Sequence, residues 1–202
     1  PTIPGHEFAG EVAADGRRAV IFPLIPCGQC PLCKGEHYAQ CLNYDYLGSR
    51  RDGGFAEYVS APEWNILPIP DGLSWEEAAM TEPAAVALHA LRQGNLRAGE
   101  TVMIFGAGPI GLLLAAWAEA IGANSVMLAE IDEARLEHAR LCGHANVYNV
   151  RDGDVTQWVM DATGHGADVV VEATGASAAL EQCMTCARPF GRVVLLGNPA
   201  GA

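Results

Sequence analysis

Two regimes of hydrophobic patterning divide the chain. From Thr2 to about Pro70 the apolar residues come in short pieces broken by glycine and proline, among them Ala19–Phe22 and Phe55–Val59. Both pieces read as strands of an irregular β domain. After Gly99 the runs lengthen and alternate in kind. Strands are predicted at Thr101–Phe105, Ser125–Glu130, Asn146–Val150, Ala167–Glu172 and Arg192–Leu196, and helices at Pro109–Ile121, Asp132–Leu141, Asp154–Asp161 and Ser177–Ala187. The Val, Ile and Leu runs do not alternate with polar residues, as expected of strands buried on both faces of a parallel sheet. Between the regimes, Asp71-Gly72 signals a turn, and Ser74 with Glu77 three residues on forms a capping box ahead of a helix. This gives an α/β chain of two domains, 1–72 and 73–202, the second a doubly wound parallel sheet.

Composition narrows the partners. Among 202 residues, half of them hydrophobic, 24 acidic side chains face 12 basic ones, a formal net charge of -12. Such a charge repels phosphate backbones and anionic membranes, so a small-molecule partner is expected, with no nucleic acid and no membrane. The longest apolar stretch, Ile110 to Ala118, is shorter than the roughly 18 residues of a membrane span. No leader is read before Pro1, and the seven cysteines are grouped by twos and threes, which suits a reducing compartment; a cytoplasmic location is expected.

Four of the cysteines, Cys27, Cys30, Cys33 and Cys41, follow the spacing C-x2-C-x2-C-x7-C. Thiolates supply charge and soft donors, and x2 spacings let one tight turn aim successive sulfurs at a single centre; Pro26, Gly28 and Pro31 are suited to that turn. The set reads as a closed structural Zn²⁺ site with no open position, stabilising a lobe. The alternatives are an iron-sulfur cluster or two disulfides, though cysteines two apart pair poorly with each other. His37 inside the loop is expected to face solvent. Cys183 and Cys186 repeat the C-x2-C spacing on a helix without a second pair and are expected in the core, and Cys142 is expected to be a small buried hydrophobe.

Gly106-Ala107-Gly108-Pro109-Ile110-Gly111 follows a predicted strand and opens a helix, and Glu130 ends the next strand 19 residues after Gly111. Together they form a dinucleotide fingerprint: Gly106 for the tight turn, Gly108 for approach to the pyrophosphate, Gly111 for helix-strand packing. Glu130 is expected to accept hydrogen bonds from the adenosine ribose, the alternative being a solvated strand end. A 2′-phosphate would be repelled there, which favours NAD over NADP, with Arg135 as the nearby basic counter-argument.

Taken in order, Gly5-His6-Glu7, the four-cysteine loop, Asp52 to Tyr58, Glu82-Pro83 and Gly106 to Gly111 resemble the zinc-dependent medium-chain alcohol and polyol dehydrogenases across essentially the whole chain. The stretch from Phe22-Pro23-Leu24 through Gly48-Ser49-Arg50-Arg51-Asp52-Gly53-Gly54-Phe55 resembles the galactitol-1-phosphate 5-dehydrogenase branch, close to sorbitol and threonine dehydrogenases. The resemblance implies a Rossmann NAD-binding domain, incomplete at its C-terminus, preceded by a partial GroES-like β domain with a structural zinc lobe. It also implies a catalytic zinc held by His6, Glu7, Glu82 and a cysteine a few tens of residues before Gly5, outside this sequence. From the residues alone, His6 beside Glu7 makes a plausible ligand pair, and Glu82 before Pro83 starts a helix that presents a carboxylate. Equally, His6 suits a satisfied core histidine and Glu82 a helix-start charge.

On this reading the full-length protein is a homo-oligomeric, NAD-dependent zinc oxidoreductase. It takes hydride from a secondary alcohol of a polyol or polyol phosphate, galactitol 1-phosphate first, with sorbitol or L-threonine as alternatives. Arg50 and Arg51 are candidate donors to a substrate phosphate, or else solvated loop charges. The rival from another class is a truncated, non-catalytic, zinc-stabilised NAD-binding module.

Overall fold

The computed structural model describes residues 2–198. By internal contacts the chain forms two compact units, Pro1–Glu82 and Pro83–Ala202. The division falls ten residues later than the 72/73 boundary read from the Asp71-Gly72 turn. The helix that Ser74 caps packs onto the first two strands of the first unit and is counted with them.

The first unit runs β1 (Ala9–Glu11), β2 (Arg18–Ile21), β3 (Leu24–Ile25), α1 (Pro31–Lys34), β4 (Asp45–Tyr46), β5 (Ile66–Pro68) and α2 (Trp75–Ala79). β1, β2 and β5 form an antiparallel sheet in that order, and β3 pairs with β4, Leu24 opposite Tyr46, as the stem of the cysteine loop. Ser74 caps α2 as its sequence predicts: its hydroxyl accepts from Glu77 N at 3.1 Å, and the Glu77 carboxylate accepts from Ser74 N at 2.8 Å. Asn65, almost fully buried, donates to Phe22 O and Leu24 O and closes the turn between β2 and β3.

One expectation fails here. Phe55–Val59 forms no strand; the chain bends over residues 54–57, and Ala56–Val59 line a groove of about 750 Å³ together with Phe8, Glu11 and Ile21, with Phe55 and Tyr58 mostly exposed. Aromatic and β-branched composition favours a strand only where a neighbouring strand accepts the ladder, and here the backbone N–H groups of Gly53, Gly54 and Phe55 bond to Ile3, Gly5 and Pro4 instead.

From the end of the first unit the chain continues as α3 (Thr81–Gln93), β6 (Thr101–Phe105), α4 (Pro109–Ile121), β7 (Ser125–Glu130), α5 (Glu133–Leu141), β8 (Val147–Asn149), α6 (Val155–Thr163), β9 (Ala167–Glu172), α7 (Ser177–Cys186) and β10 (Ala187–Leu195). The five strands pair in the order β10-β9-β6-β7-β8, all parallel. This is the doubly wound sheet the patterning predicts. The central strand shows why no alternation appears in the sequence. Val102 and Ile104 point to one face, against Leu91, Leu114 and Ala118, while Met103 and Phe105 point to the other, against Val155, Val159, Cys183 and Cys186. Both faces are covered by helices, so every position of β6 after Thr101 is buried.

Cys183 and Cys186 are fully buried core residues, as expected, but Cys142 is exposed at the C-cap of α5, its sulfur 3.8 Å from His138 Nε2. α5 ends at Leu141, and Gly143 with φ 97° turns the chain away just after the cap, leaving the Cys142 side chain in solvent. No helix among the described residues is long and apolar enough to cross a membrane.

Candidate metal and dinucleotide sites

The cysteine loop is built by local geometry. Gly28 takes a positive φ of 73°, and Pro31 opens α1 at its first position. Cys30 caps that helix through its sulfur, which accepts from Cys33 N at 3.4 Å, while Cys27 N donates to Cys41 Sγ at 3.2 Å. The four sulfurs lie within 4.8 Å of one another, and no disulfide joins them. Amide donors from Leu42 and Cys33 hold the Cys30 thiol down to about 6, and an amide donor from Cys27 lowers Cys41; burial and the neighbouring sulfurs push Cys33 up to about 12. Four convergent sulfurs with no disulfide among them form a soft donor set for a divalent cation, whose charge would let all four ionise together. His37 is exposed and stands outside the cluster.

His6, Glu7 and Glu82 also converge, offering ligand atoms within 4.8 Å of one another. A main-chain cradle positions the first two. Ile3 N donates to Asp52 Oδ1 at 2.9 Å, Gly53 N to Ile3 O, Gly54 N to Gly5 O and Phe55 N to Pro4 O, so Asp52 to Phe55 grips the turn that carries His6. The fit requires glycine: a Cβ at Gly53 would stand 2.1 Å from Gly5 O, and one at Gly48 2.5 Å from the same oxygen. The third carboxylate sits in the first turn of α3. Burial raises the Glu82 pKa above the usual carboxylate range, the charge of His6 and the Tyr46 hydroxyl opposing it in part. Tyr46 donates to Glu82 Oε1 at 3.3 Å and lays its ring edge-on to the His6 imidazole, centroids 5.6 Å apart; burial and the Glu82 charge push its own hydroxyl up to about 12. One imidazole and two carboxylates at that separation form a donor set for a divalent cation.

Arg50 is committed elsewhere. Its guanidinium lies 4.0 Å over the Tyr44 ring and donates to Tyr44 O and to the Tyr44 hydroxyl, each at 3.1 Å; Arg51 pairs with Asp45 at 3.5 Å.

In the second unit the glycine turn follows β6, the strand from which the chain winds first to β7 and later back to β9. Such a reversal of strand order is where open α/β sheets bind ligands. Gly106 takes φ 106° beneath Thr174, and a Cβ on Gly111 would stand 1.9 Å from Gly106 O, so α4 packs directly on the turn. Gly108 differs: its φ is -74° and a Cβ there would meet nothing within 4 Å. Open space over an uncapped helix N-terminus suits a pyrophosphate, which fits the dinucleotide expectation. Pro109 and Ile110 form the first turn of α4.

Glu130 is only 5% exposed. Its carboxylate accepts from Ala107 N at 3.1 Å, Ile131 N at 2.7 Å and Asp132 N at 3.2 Å, with Arg135 Nη1 3.5 Å away. Burial works against its ionisation, but the three amides and Arg135 outweigh it and hold the pKa below the usual value. Glu130 therefore ties the glycine turn to the end of β7, a task its sequence position did not announce.

Sequence reasoning passed over two further residues. Tyr46 is one; the other is Glu172, fully buried at the end of β9, which accepts from Thr174 N at 2.7 Å, from the Thr174 hydroxyl and from Gly175 N at 3.0 Å. A glutamate closing a run of valines before Thr-Gly was the available signal.

Comparison with known proteins gives the family. Residues 1–71 match the family of the alcohol dehydrogenase GroES-like domain and residues 109–202 that of zinc-binding dehydrogenases. The chain belongs to the zinc-dependent medium-chain dehydrogenases. Among this family's curated members, sorbitol dehydrogenase of Bacillus subtilis is 35% identical over 99% of the chain and 60% of its own length. L-Threonine 3-dehydrogenase of Photorhabdus laumondii is 38% identical over 98% and 61%. Of the family's solved structures, galactitol-1-phosphate dehydrogenase from Escherichia coli superposes with a TM-score of 0.91 at 32% identity, over 100% of this chain and 61% of that one. A protein described as a zinc-binding dehydrogenase from Sinorhizobium meliloti, bound to NADP, reaches 0.93 at 35%, over 100% and 63%. The chain thus spans about three fifths of the length of these medium-chain dehydrogenases.

Proposed function

We propose that the protein to which this chain belongs is an NAD-dependent zinc dehydrogenase that oxidises a secondary alcohol of a polyol or polyol phosphate. The observation that carries the reading is the convergence of His6, Glu7 and Glu82 in a chain that also carries a glycine turn open at Gly108. Cys27, Cys30, Cys33 and Cys41 would hold a structural Zn²⁺, and His6, Glu7 and Glu82 would hold a catalytic one. When bound, that ion supplies Lewis acidity toward an alcohol oxygen, and NAD supplies the hydride acceptor.

The chain's own residues supply the rest. Glu7 and Glu82 place negative charge where a cation is to be held, and the Asp52 to Phe55 cradle keeps the His6 turn rigid, as a ligand set needs. Gly108 leaves room for the pyrophosphate, and Gly106, Pro109, Ile110 and Gly111 shape the turn around it. Glu130 would accept hydrogen bonds from the ribose hydroxyls through lone pairs that the amides leave free; the same carboxylate would repel a 2′-phosphate, which favours NAD. Arg135 beside it is the group that would favour NADP.

Galactitol 1-phosphate heads the substrate panel on the likeness of the stretch from Phe22 through Phe55. The engagement of Arg50 with Tyr44 and Arg51 with Asp45 supports an unphosphorylated polyol, or L-threonine, as the second reading. The deciding experiment is NAD⁺ and NADP⁺ reduction by the full-length protein across polyols, their phosphates and L-threonine, alongside a metal count. Two zincs per chain and turnover support the proposal. One zinc and no turnover on any alcohol would instead favour a non-catalytic NAD-binding module.

A further inference from the structure

The two candidate metal centres of the first unit are joined by one residue. Tyr46 closes the β3–β4 stem, opposite Leu24, immediately outside the loop that carries all four cysteines. The same side chain reaches the other centre, where its hydroxyl donates to Glu82 Oε1 at 3.3 Å and its ring stands edge-on to His6 at 5.6 Å. The residue is held from behind as well. Its carbonyl accepts from Ser49, Arg50 and Arg51 N, and its neighbour Leu47, fully buried, donates its N–H to Pro23 O. The turn so formed presses Gly48 onto Gly5, the residue before His6: a Cβ on Gly48 would stand 2.5 Å from Gly5 O.

We propose that Tyr46 is a positioning residue through which the cysteine lobe orients the ligands of the catalytic metal: the hydroxyl fixes which Glu82 oxygen is presented, and the ring edge sets the plane of the His6 imidazole. The inference rests on the reading of His6, Glu7 and Glu82 as metal ligands given above. The physical logic is that of outer-shell groups in general. A carboxylate on the first turn of a helix has free rotation about its side-chain bonds, and a single hydrogen bond to one oxygen removes much of that freedom before the ion arrives. The anchor is effective because Tyr46 stands on a ladder rung closed by a metal-clamped loop, so the group that does the orienting is itself immobile.

The test uses the full-length protein with Tyr46→Phe, which removes only the hydroxyl, and Tyr46→Leu, which removes the ring edge as well. Zinc is titrated out with a chelator of known affinity, the sites are refilled with Co²⁺, and the visible d–d bands are recorded; thermal unfolding monitors the fold. The expected result is graded. Tyr46→Phe retains the cysteine-site metal and an unchanged melting temperature but loses the second metal at roughly tenfold lower chelator concentration, in the range typical of outer-shell substitutions. Its Co²⁺ bands at the histidine-carboxylate site shift, and Tyr46→Leu goes further on both readouts. If Tyr46→Phe matches the parent in chelator titration and spectrum while Tyr46→Leu is merely unstable, Tyr46 is a packing residue and the proposal is overturned. A parent protein that holds one metal only, at the cysteines, overturns the reading of the His6 site and this inference with it.

Discussion

Two glycines three residues apart in the same turn should fail in opposite ways. An alanine at Gly111 places its Cβ 1.9 Å from Gly106 O, a main-chain atom that no rotamer change can move aside. Restoring an ordinary contact of about 3.5 Å means displacing α4 from the turn by more than an ångström, and overpacking of that kind costs about 1–3 kcal/mol. With backbone on both sides the upper end applies, a fall in melting temperature of roughly 6–12 °C for a chain of this size. An alanine at Gly108 meets nothing within 4 Å and needs no change of φ, so stability should stay within about 0.5 kcal/mol of the parent. Its methyl instead occupies the space read here as the pyrophosphate seat. Loss of one charge-assisted hydrogen bond there, about 1.5–3 kcal/mol, weakens dinucleotide binding roughly tenfold to a hundredfold. Differential scanning fluorimetry and an NADH fluorescence titration on the full-length protein give both numbers. A Gly111→Ala variant that melts with the parent would contradict the tight packing of α4 on the turn, and a Gly108→Ala variant that binds the dinucleotide as tightly as the parent would contradict the pyrophosphate seat.

Other outcomes follow from the same geometry. Gly53→Ala should lower the melting temperature and the occupancy of the His6 site together, because its Cβ strikes Gly5 O at 2.1 Å, whereas Gly10→Ala, with open space around it, should leave both unchanged in a metal assay and a melt. Glu130 has a folded pKa below its unfolded one, so its stabilisation is present above the usual carboxylate value of 4.5 and disappears as pH falls through the lower folded value. Glu130→Gln should therefore be less stable than the parent at pH 7, and the gap should close in acid; a gap independent of pH in urea melts at pH 7, 5 and 3 would contradict the assignment. Stripping metal from Cys27, Cys30, Cys33 and Cys41 should lower the melting temperature and expose Cys30, held near 6, as the first sulfur to alkylate at neutral pH, a sequence that peptide mapping reads directly.

What the chain alone made legible is what depends on near neighbours. The C-x2-C-x2-C-x7-C spacing, the Ser74 to Glu77 cap and the glycine turn are each closed within a few residues, so pattern and structure coincide. The apolar runs of β6, β7 and β9 announced a sheet covered on both faces because near-complete burial leaves few polar positions. Tertiary structure decided the rest. Phe55–Val59 has the composition of a strand, but a strand exists only with a partner, and its neighbours' amides are spent on Ile3, Pro4 and Gly5. His6 and Glu82 lie 76 residues apart in the chain, and no local rule brings an imidazole to that carboxylate. The chain is folded back by the Asp52 to Phe55 cradle and the β3–β4 stem, whose close backbone contacts admit only glycine at Gly48 and Gly53. The bond from Ala107 N to Glu130 follows the same rule: Glu130 closes a strand of a sheet whose order, β10-β9-β6-β7-β8, is a property of packing, and only that order carries the Ala107 amide from the turn after β6 to a carboxylate at the end of β7.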